Sequence, residues 1–273
     1  MGNKMTADTQ YVSLLYHKGV IREDWITEIV KNLVKVLGPD LDEFGYSWID
    51  KRETSWKIKS RSGKYSTKRW NSFIDFLHDS NDLDVTITLE KYSSGYEYKS
   101  RDFEFCMMCK QHTRYSSIVF ILSDSFIKKL EIKETTIHTC DIVMRYGVKP
   151  YYGLSFNMNK YKDPGVFVGG IHTENLTEQE HVLVNILNDN LNHLDEVIWD
   201  ISWGNIINRK HFIDEHTVDY LKKELGEENV VSLGEDLVWF NLEGNIRDFD
   251  KHKSKTRAKL LKYFEPKMAR LKE

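Results

Sequence analysis

The residues best suited to chemistry lie mid-chain: Cys106-Met-Met-Cys109 with His112, followed by His138 and Cys140. Thiolate and imidazole are the ligands zinc prefers in a tetrahedral site, so the residue types fit a metal. Their spacing argues against one. The cysteine pair lies within DFEFCMMCK, a strand-like run in which side chains three apart point to opposite faces, whereas converging two sulfurs needs a tight turn. The cysteines read instead as small buried hydrophobes. No helix start follows the pair to lower a thiol pKa, which also disfavours redox chemistry. The expectation is no metal and no cofactor.

A restriction-type nuclease needs an acidic residue on one strand and Glu-x-Lys on the next, to hold a divalent ion and offset developing charge. Asp124 with Glu131-Ile132-Lys133, and Asp84 with Glu97-Tyr98-Lys99, match that spacing loosely. With 42 acidic and 39 basic residues such spacings arise by chance, and solvated strand-edge charge is the simpler reading. The glycines at 165, 169 and 170 lack the strand-to-helix setting of a phosphate loop, and no nucleophile-elbow motif occurs. The chain leans away from being an enzyme.

Two segments are candidates for binding. Lys51, Arg52, Lys57, Lys59, Arg61, Lys64, Lys68 and Arg69 form a basic patch interleaved with Trp56, Tyr65 and Trp70. Such a patch can track phosphates while the rings stack on bases, or it can meet an acidic protein. Further on, Asp195, Glu196, Trp199, Asp200, Trp203 and Asn205 put tryptophans beside carboxylates. They read either as core anchors with a polar rim or as a partner-binding face. Ile201 and Ile206 on either side favour the core.

With that tryptophan-rich segment after a central helix, and Asp248-Phe249-Asp250 ahead of a C-terminal helix, the chain resembles immunity proteins of bacterial polymorphic toxin systems, mainly over residues 151–264. The resemblance implies a cytoplasmic protein that blocks a toxin or defence protein by binding it, in bacterial or phage conflict, and performs no reaction. It transfers no site residue. The basic patch departs from it, because nuclease toxins are usually met by acidic surface. The runner-up is a nucleic-acid-binding protein or metal-dependent nuclease.

The elements that must position these groups follow from hydrophobic period. Trp25, Ile26, Ile29, Val30, Leu33 and Leu37 recur at helical steps before Gly38-Pro39, a helix stop. Thr177 with Glu180 has capping-box spacing, and Val182, Leu183, Ile186, Leu187, Leu191 and Leu194 then line one face. Burying those six contributes on the order of 10 kcal/mol before chain entropy is subtracted. Further helices are expected over 71–78, 214–225 and 251–271. Strands are expected over 11–17, 84–92, 96–110, 116–123, 140–148, 151–159, 230–233 and 236–242, with an extended run at 44–49 and turns at 60–63 and 93–95.

The sum is an α+β fold: a mainly antiparallel sheet with about four helices packed on it. It is organised as lobes 1–148 and 149–273 or as one continuous domain. Strand, helix and Leu41-Asp42-Glu43 echo strand, helix and Leu194-Asp195-Glu196 at an offset of 153 residues, which raises duplication. With 12% aromatic residues and 4 prolines in 273, the chain has the composition of an ordered protein. A net charge of −3 excludes a globally basic nucleic-acid binder. The start of the chain lacks an apolar signal region and no run is long enough to span a bilayer, so a cytoplasmic protein with reduced cysteines is expected. Met1-Gly2-Asn3-Lys4-Met5-Thr6 fits a myristoylation pattern, but a single acyl chain anchors only marginally.

Overall fold

The computed structural model describes residues 10–18, 23–37, 41–49, 58–78, 84–92, 101–109, 116–127, 130–157, 182, 185–186 and 189–270. The protein is α+β. Its strands are β1 (Gln10–Lys18), β2 (Glu43–Ile49), β3 (Ile58–Gly63), β4 (Asp84–Tyr92), β5 (Arg101–Cys109), β6 (Ser116–Ser123), β7 (Lys149–Asn157), β8 (Gly204–Asn208), β9 (Val230–Leu233) and β10 (Leu237–Asn241). Among the described residues the α-helices are α1 (Glu23–Leu37), α2 (Thr67–His78), α3 (Ile132–Arg145), α4 (Thr217–Leu225) and α5 (Lys255–Tyr263). Two compact units divide the chain: Met1–Tyr11 with Lys18–Lys149, and Val12–His17 with Pro150–Glu273.

In the first unit the strand order is β3-β2-β4-β5-β6, with each neighbouring pair antiparallel. Alternation sets its faces. Val85, Ile87 and Leu89 on β4 and Phe103, Phe105 and Met107 on β5 are buried, while the residues between them are reached by solvent. α2 covers the β2 end of the buried face: Phe44 and Tyr46 meet Phe73, and Trp48 meets Phe76 with ring centroids 4.8 Å apart. α1 buries Trp25, Ile26, Ile29 and Val30, the face its period predicts. Glu28 ties it to α3 by accepting from Arg145 at 2.6 Å and from the Tyr146 hydroxyl at 2.8 Å. Those bonds hold the Glu28 carboxyl below its ordinary pKa, Arg145 first.

Two expectations fail here, each for a physical reason. Residues 140–148, expected as a strand, belong mostly to α3. β-branched residues favour strands on average, but Thr136, Thr139, Cys140 and Val143 recur on one buried helical face, and packing outweighs propensity. α3 stops at Gly147, at φ +77°, where Gly147 N–H donates to Met144 and Val148 N–H to Val143. That is a Schellman ending, which favours glycine. Residues 60–63 are not a turn: β3 runs through them, with Gly63 opposite Phe44. The helix expected from Thr177 lies largely outside the described residues. Val182, Asn185, Ile186, Asp189 and Asn190 are helical, but Val182 is 41% exposed and does not serve the core. Asn190 is buried instead, donating to the carbonyls of Ile186 and Arg270.

The second unit has the order β1-β7-β8-β10-β9. β8 and β10 pair antiparallel from Gly204 opposite Asn241 to Asn208 opposite Leu237. Pro150 to Asn157 on β7 and all of β10 are buried without alternation, the pattern of strands covered on both faces. The units share no strand order, so the 153-residue echo has no counterpart in topology. Gly204 makes one close approach possible. A Cβ there would lie 2.4 Å from the Trp239 ring, so Gly204→Ala should destabilise by about 1–3 kcal/mol through overpacking, read as a lowered urea midpoint. α5 is shorter than the expected 251–271 helix. Ser254 caps its start by accepting from Arg257 N–H at 3.0 Å, and Pro266 lies in the 3-10 turn beyond Phe264, where it cannot donate to a continuing helix.

Candidate functional site

The tryptophan segment is positioned from three directions. Trp199 and Trp203 are buried, as are Asp195, Asp200 and Asn205; of the six candidate partner-binding residues only Glu196 is exposed. Asp200 sits at the centre. Its carboxylate accepts from Arg257 Nη2 at 2.5 Å, and Arg257 Nε donates to the Ile201 carbonyl at 2.6 Å. The Tyr152 hydroxyl donates to the Asp200 carbonyl at 2.7 Å and accepts from Asp200 N–H at 2.9 Å. Burial, its largest influence, pushes the Tyr152 phenol well above its ordinary pKa. Asn205 closes on the Ser202 backbone through both its side-chain oxygen and its nitrogen, and Trp203 Nε1 donates to the Gly244 carbonyl.

Asp195 and Glu196 share Lys210, at 3.0 and 3.4 Å, and the Asp195 bond leads in raising the lysine pKa. Beside them His211 is fully buried. Its Nδ1 accepts from Asn208 N–H, so Nε2 carries the proton and donates to the Leu194 carbonyl at 2.9 Å. Desolvation pulls its pKa down to about 4. Five of the six residues are therefore largely buried. Removing the Tyr152 hydroxyl with Tyr152→Phe leaves two buried backbone groups without it, a loss of about 1–3 kcal/mol, measurable by denaturant titration.

The basic patch is only partly a surface. Lys51, Arg52, Lys57 and Trp56 lie outside the described residues. Trp70 packs against Phe44 and Phe73, and Tyr65 meets the edge of Phe44, so these two rings are turned to the core and not toward bases. Arg61 lies over Trp48 and donates to the Tyr46 hydroxyl, while Arg69 donates to the Ser62 carbonyl at 2.8 Å. Lys64 and Lys68 are exposed, and Lys59 is half-buried. Lys251 is buried, and desolvation followed by the nearby Arg257 lowers its pKa to about 7.

The metal candidates separate. Cys106 is half-buried on β5, whereas His138 and Cys140 belong to α3, with Cys140 wholly buried; burial drives its thiol pKa far up. The Cys109 side chain, His112 and residues 97–99 lie outside the described residues. No group of three possible metal ligands forms among the described residues. Asp124 accepts from the Tyr11 hydroxyl at 2.8 Å.

A feature that sequence reasoning missed is the solvent-facing side of the first unit's sheet. Register brings Glu43, Glu90 and Glu104 directly opposite one another on three adjacent strands. The next row holds Gly45, Thr88 and Cys106, the row after it Ser47, Thr86 and Met108, and at the far end Ile49 stands between Ile58 and Asp84. Ile58 is 71% exposed. The period-two alternation of β4 and β5 was the available signal, but the carboxylate row depends on register, which long-range pairing sets.

No protein-family model matches the chain, and no curated protein matches it in sequence. Among solved structures, the fold is similar to that of the Pseudomonas aeruginosa T6SS protein PA0821, with a TM-score of 0.59 at 10% identity, over 96% of this chain and 73% of that one. A second likeness, to the toxic C-terminal tip of CdiA from Pseudomonas aeruginosa in complex with its immune protein, has a TM-score of 0.26 at 10% identity over 55% of this chain and 87% of that one; an overlap this low carries no argument. No helix among the described residues is long and apolar enough to cross a membrane.

Proposed function

We propose that this chain is a non-enzymatic inhibitor that binds a protein partner, of the immunity type, acting in the cytoplasm in bacterial or phage conflict. The observation that carries the reading is the contrast between the two sides of the first unit's sheet. One is covered by aromatic and aliphatic side chains; the other presents Glu43, Glu90 and Glu104, Thr86, Thr88 and Ser47, and Cys106 and Met108 to solvent across β2, β4 and β5, a surface of mixed chemistry on which another protein can seat. The fold shared with a T6SS protein over 96% of the chain is consistent with the same reading. The tryptophan segment then serves as the rigid frame of the second unit.

The test is co-expression. A toxin gene found beside the gene for this chain, expressed alone, should arrest growth, and this chain should restore growth while co-purifying with the toxin in fixed stoichiometry. Continued arrest with no co-purification would count against the proposal. A nucleic-acid-binding chain would instead retain DNA or RNA in a strongly salt-dependent way.

A further inference from the structure

We infer that the outer edge of β3 takes up an extended segment of the partner as an added strand, with side chains alternating between acidic and apolar; this rests on the inhibitory reading above. β3 ends the first unit's sheet, with β2 as its neighbour on one side, and Ile58, Ser60, Arg61 and Ser62 on it are exposed. One contact gives the direction of its backbone groups. The Arg61 carbonyl oxygen lies 3.6 Å from a Cβ built on Gly45 of β2, so it faces β2. In an antiparallel strand the alternate residues then turn their N–H and C=O outward. Ile58 and Ser60 present both groups at the edge in this way, and neither makes an outward backbone bond among the described residues. Ser62 ends the stretch, because Arg69 Nη1 donates to its carbonyl at 2.8 Å.

Register sets the chemistry of the two sides of such a strand. Arg61 stands opposite Tyr46 and Gly63 opposite Phe44, on the side that α2 covers, whereas Ile58, Ser60 and Ser62 share the other side with Ile49, Ser47 and Gly45. The α2 side is positive. Arg61 meets the Tyr46 hydroxyl and the Trp48 ring, Arg69 meets a carbonyl, and the exposed Lys64 and Lys68 make no ion pair among the described residues. Glu43 and Asp75 are the carboxylates of β2, β3 and α2: Glu43 lies one step beyond the Phe44–Gly63 pair, and Asp75 lies about 10 Å along α2 from Lys68. Neither forms an ion pair with these four cations. On the other side an apolar residue of the added strand meets Ile58, 71% exposed, with Ile49 behind it and Asp84 one strand further in. Pairing β3 with a second copy of itself would set basic side chains against one another, which is unfavourable and is how edge strands avoid self-association. A nucleic-acid strand offers phosphates to the cations but no peptide ladder to Ser60, and Tyr65 and Trp70 are turned away from it.

The Ser60 amide supplies the readout, by hydrogen exchange followed residue by residue in the full chain. The probes are a short synthetic peptide alternating valine and glutamate, its twin with lysine in place of glutamate, and a fully N-methylated form that cannot donate to the edge. The glutamate peptide should bind at least tenfold tighter than either and, at saturation, slow exchange of the Ser60 amide at least tenfold. Ser60→Pro, a change that edge strands tolerate, should abolish binding. The triple change Arg61→Gln, Lys64→Gln and Lys68→Gln alters exposed side chains only and should erase the preference for glutamate over lysine. Equal binding of the three peptides, no binding, or binding with Ser60 exchange unchanged would overturn the inference. So would protection of Ser60 that rises with protein concentration in the absence of peptide, which would make a second copy the occupant. Displacement of the peptide by a single-stranded oligonucleotide that binds more tightly would overturn it too, in favour of nucleic acid. A toxin that co-purifies while the Ser60 amide exchanges as before defeats the docking edge alone; the absence of any protein partner defeats the inhibitory reading.

Discussion

Asp200→Ala lowers the unfolding free energy of the second unit by about 3–5 kcal/mol, because it strands a largely buried guanidinium. Arg257 keeps its 2.6 Å bond to the Ile201 carbonyl but loses the carboxylate it meets at 2.5 Å, and the Ile201 N–H loses its 2.8 Å acceptor at the same time. Both side chains are well shielded, at 16% exposed for Arg257 and 7% for Asp200, so solvent recovers little of the loss. On the scale of a unit this size the melting temperature falls by roughly 10 °C or more. Arg257→Ala costs a comparable amount by leaving the Asp200 carboxylate uncompensated. The double variant should lose less than the sum of the two single losses, and a thermal-melt double-mutant cycle measures the coupling. Additive losses would mean that the pair does not act as a unit.

Acid is the second large lever. His17 and His211 are both fully buried, and desolvation lowers each to about 4 from 6.5. In the unfolded chain each takes up a proton as the pH falls through 6.5; in the folded chain each stays neutral until about pH 4. The unfolded state therefore binds more protons in that window, so the stabilising contribution is complete above pH 6.5 and is lost as the pH drops to 4. A shift of this size is worth about 3 kcal/mol per histidine. Urea midpoints followed by tryptophan fluorescence should decline steeply between pH 6.5 and 4, and His211→Gln should remove about half of the slope. A flat profile over that window would contradict the burial of both rings.

These effects also mark how far the sequence could be read. α1, β4 and β10 were legible because a local period or apolar run fixes them: Trp25 through Leu33 at helical steps, Val85-Ile87-Leu89 in alternation, Leu237 through Phe240 as a run. α3 was not legible, since its β-branched residues carry strand propensity and only tertiary packing of Thr136, Cys140 and Val143 makes the helix the better solution. The burial of Trp199 and Trp203 was favoured by their isoleucine neighbours. The identity of what neutralises Asp200 was not, because Arg257 lies 57 residues on and nothing in its local context distinguishes it from the other basic residues of α5. A carboxylate in an apolar run, as in Val-Ile-Trp-Asp-Ile, does signal that a buried donor must exist. Nor does composition tell where a charge rests: Arg61 lies over Trp48 and Arg69 lies against Gly63, whereas Lys64 and Lys68 are exposed.

On the proposed reading, the open sheet face meets the partner and the buried polar groups of the second unit hold its frame. Inhibition by occupation differs from inhibition by catalysis in how it scales. Titrating the purified partner toxin with this chain and following residual toxin activity is the direct measurement. The predicted result is a linear fall that reaches zero at a fixed molar equivalence and does not deepen with longer incubation. Loss of toxin activity at a small fraction of an equivalent, growing with time, would mean turnover, and would contradict a protein that acts only by binding.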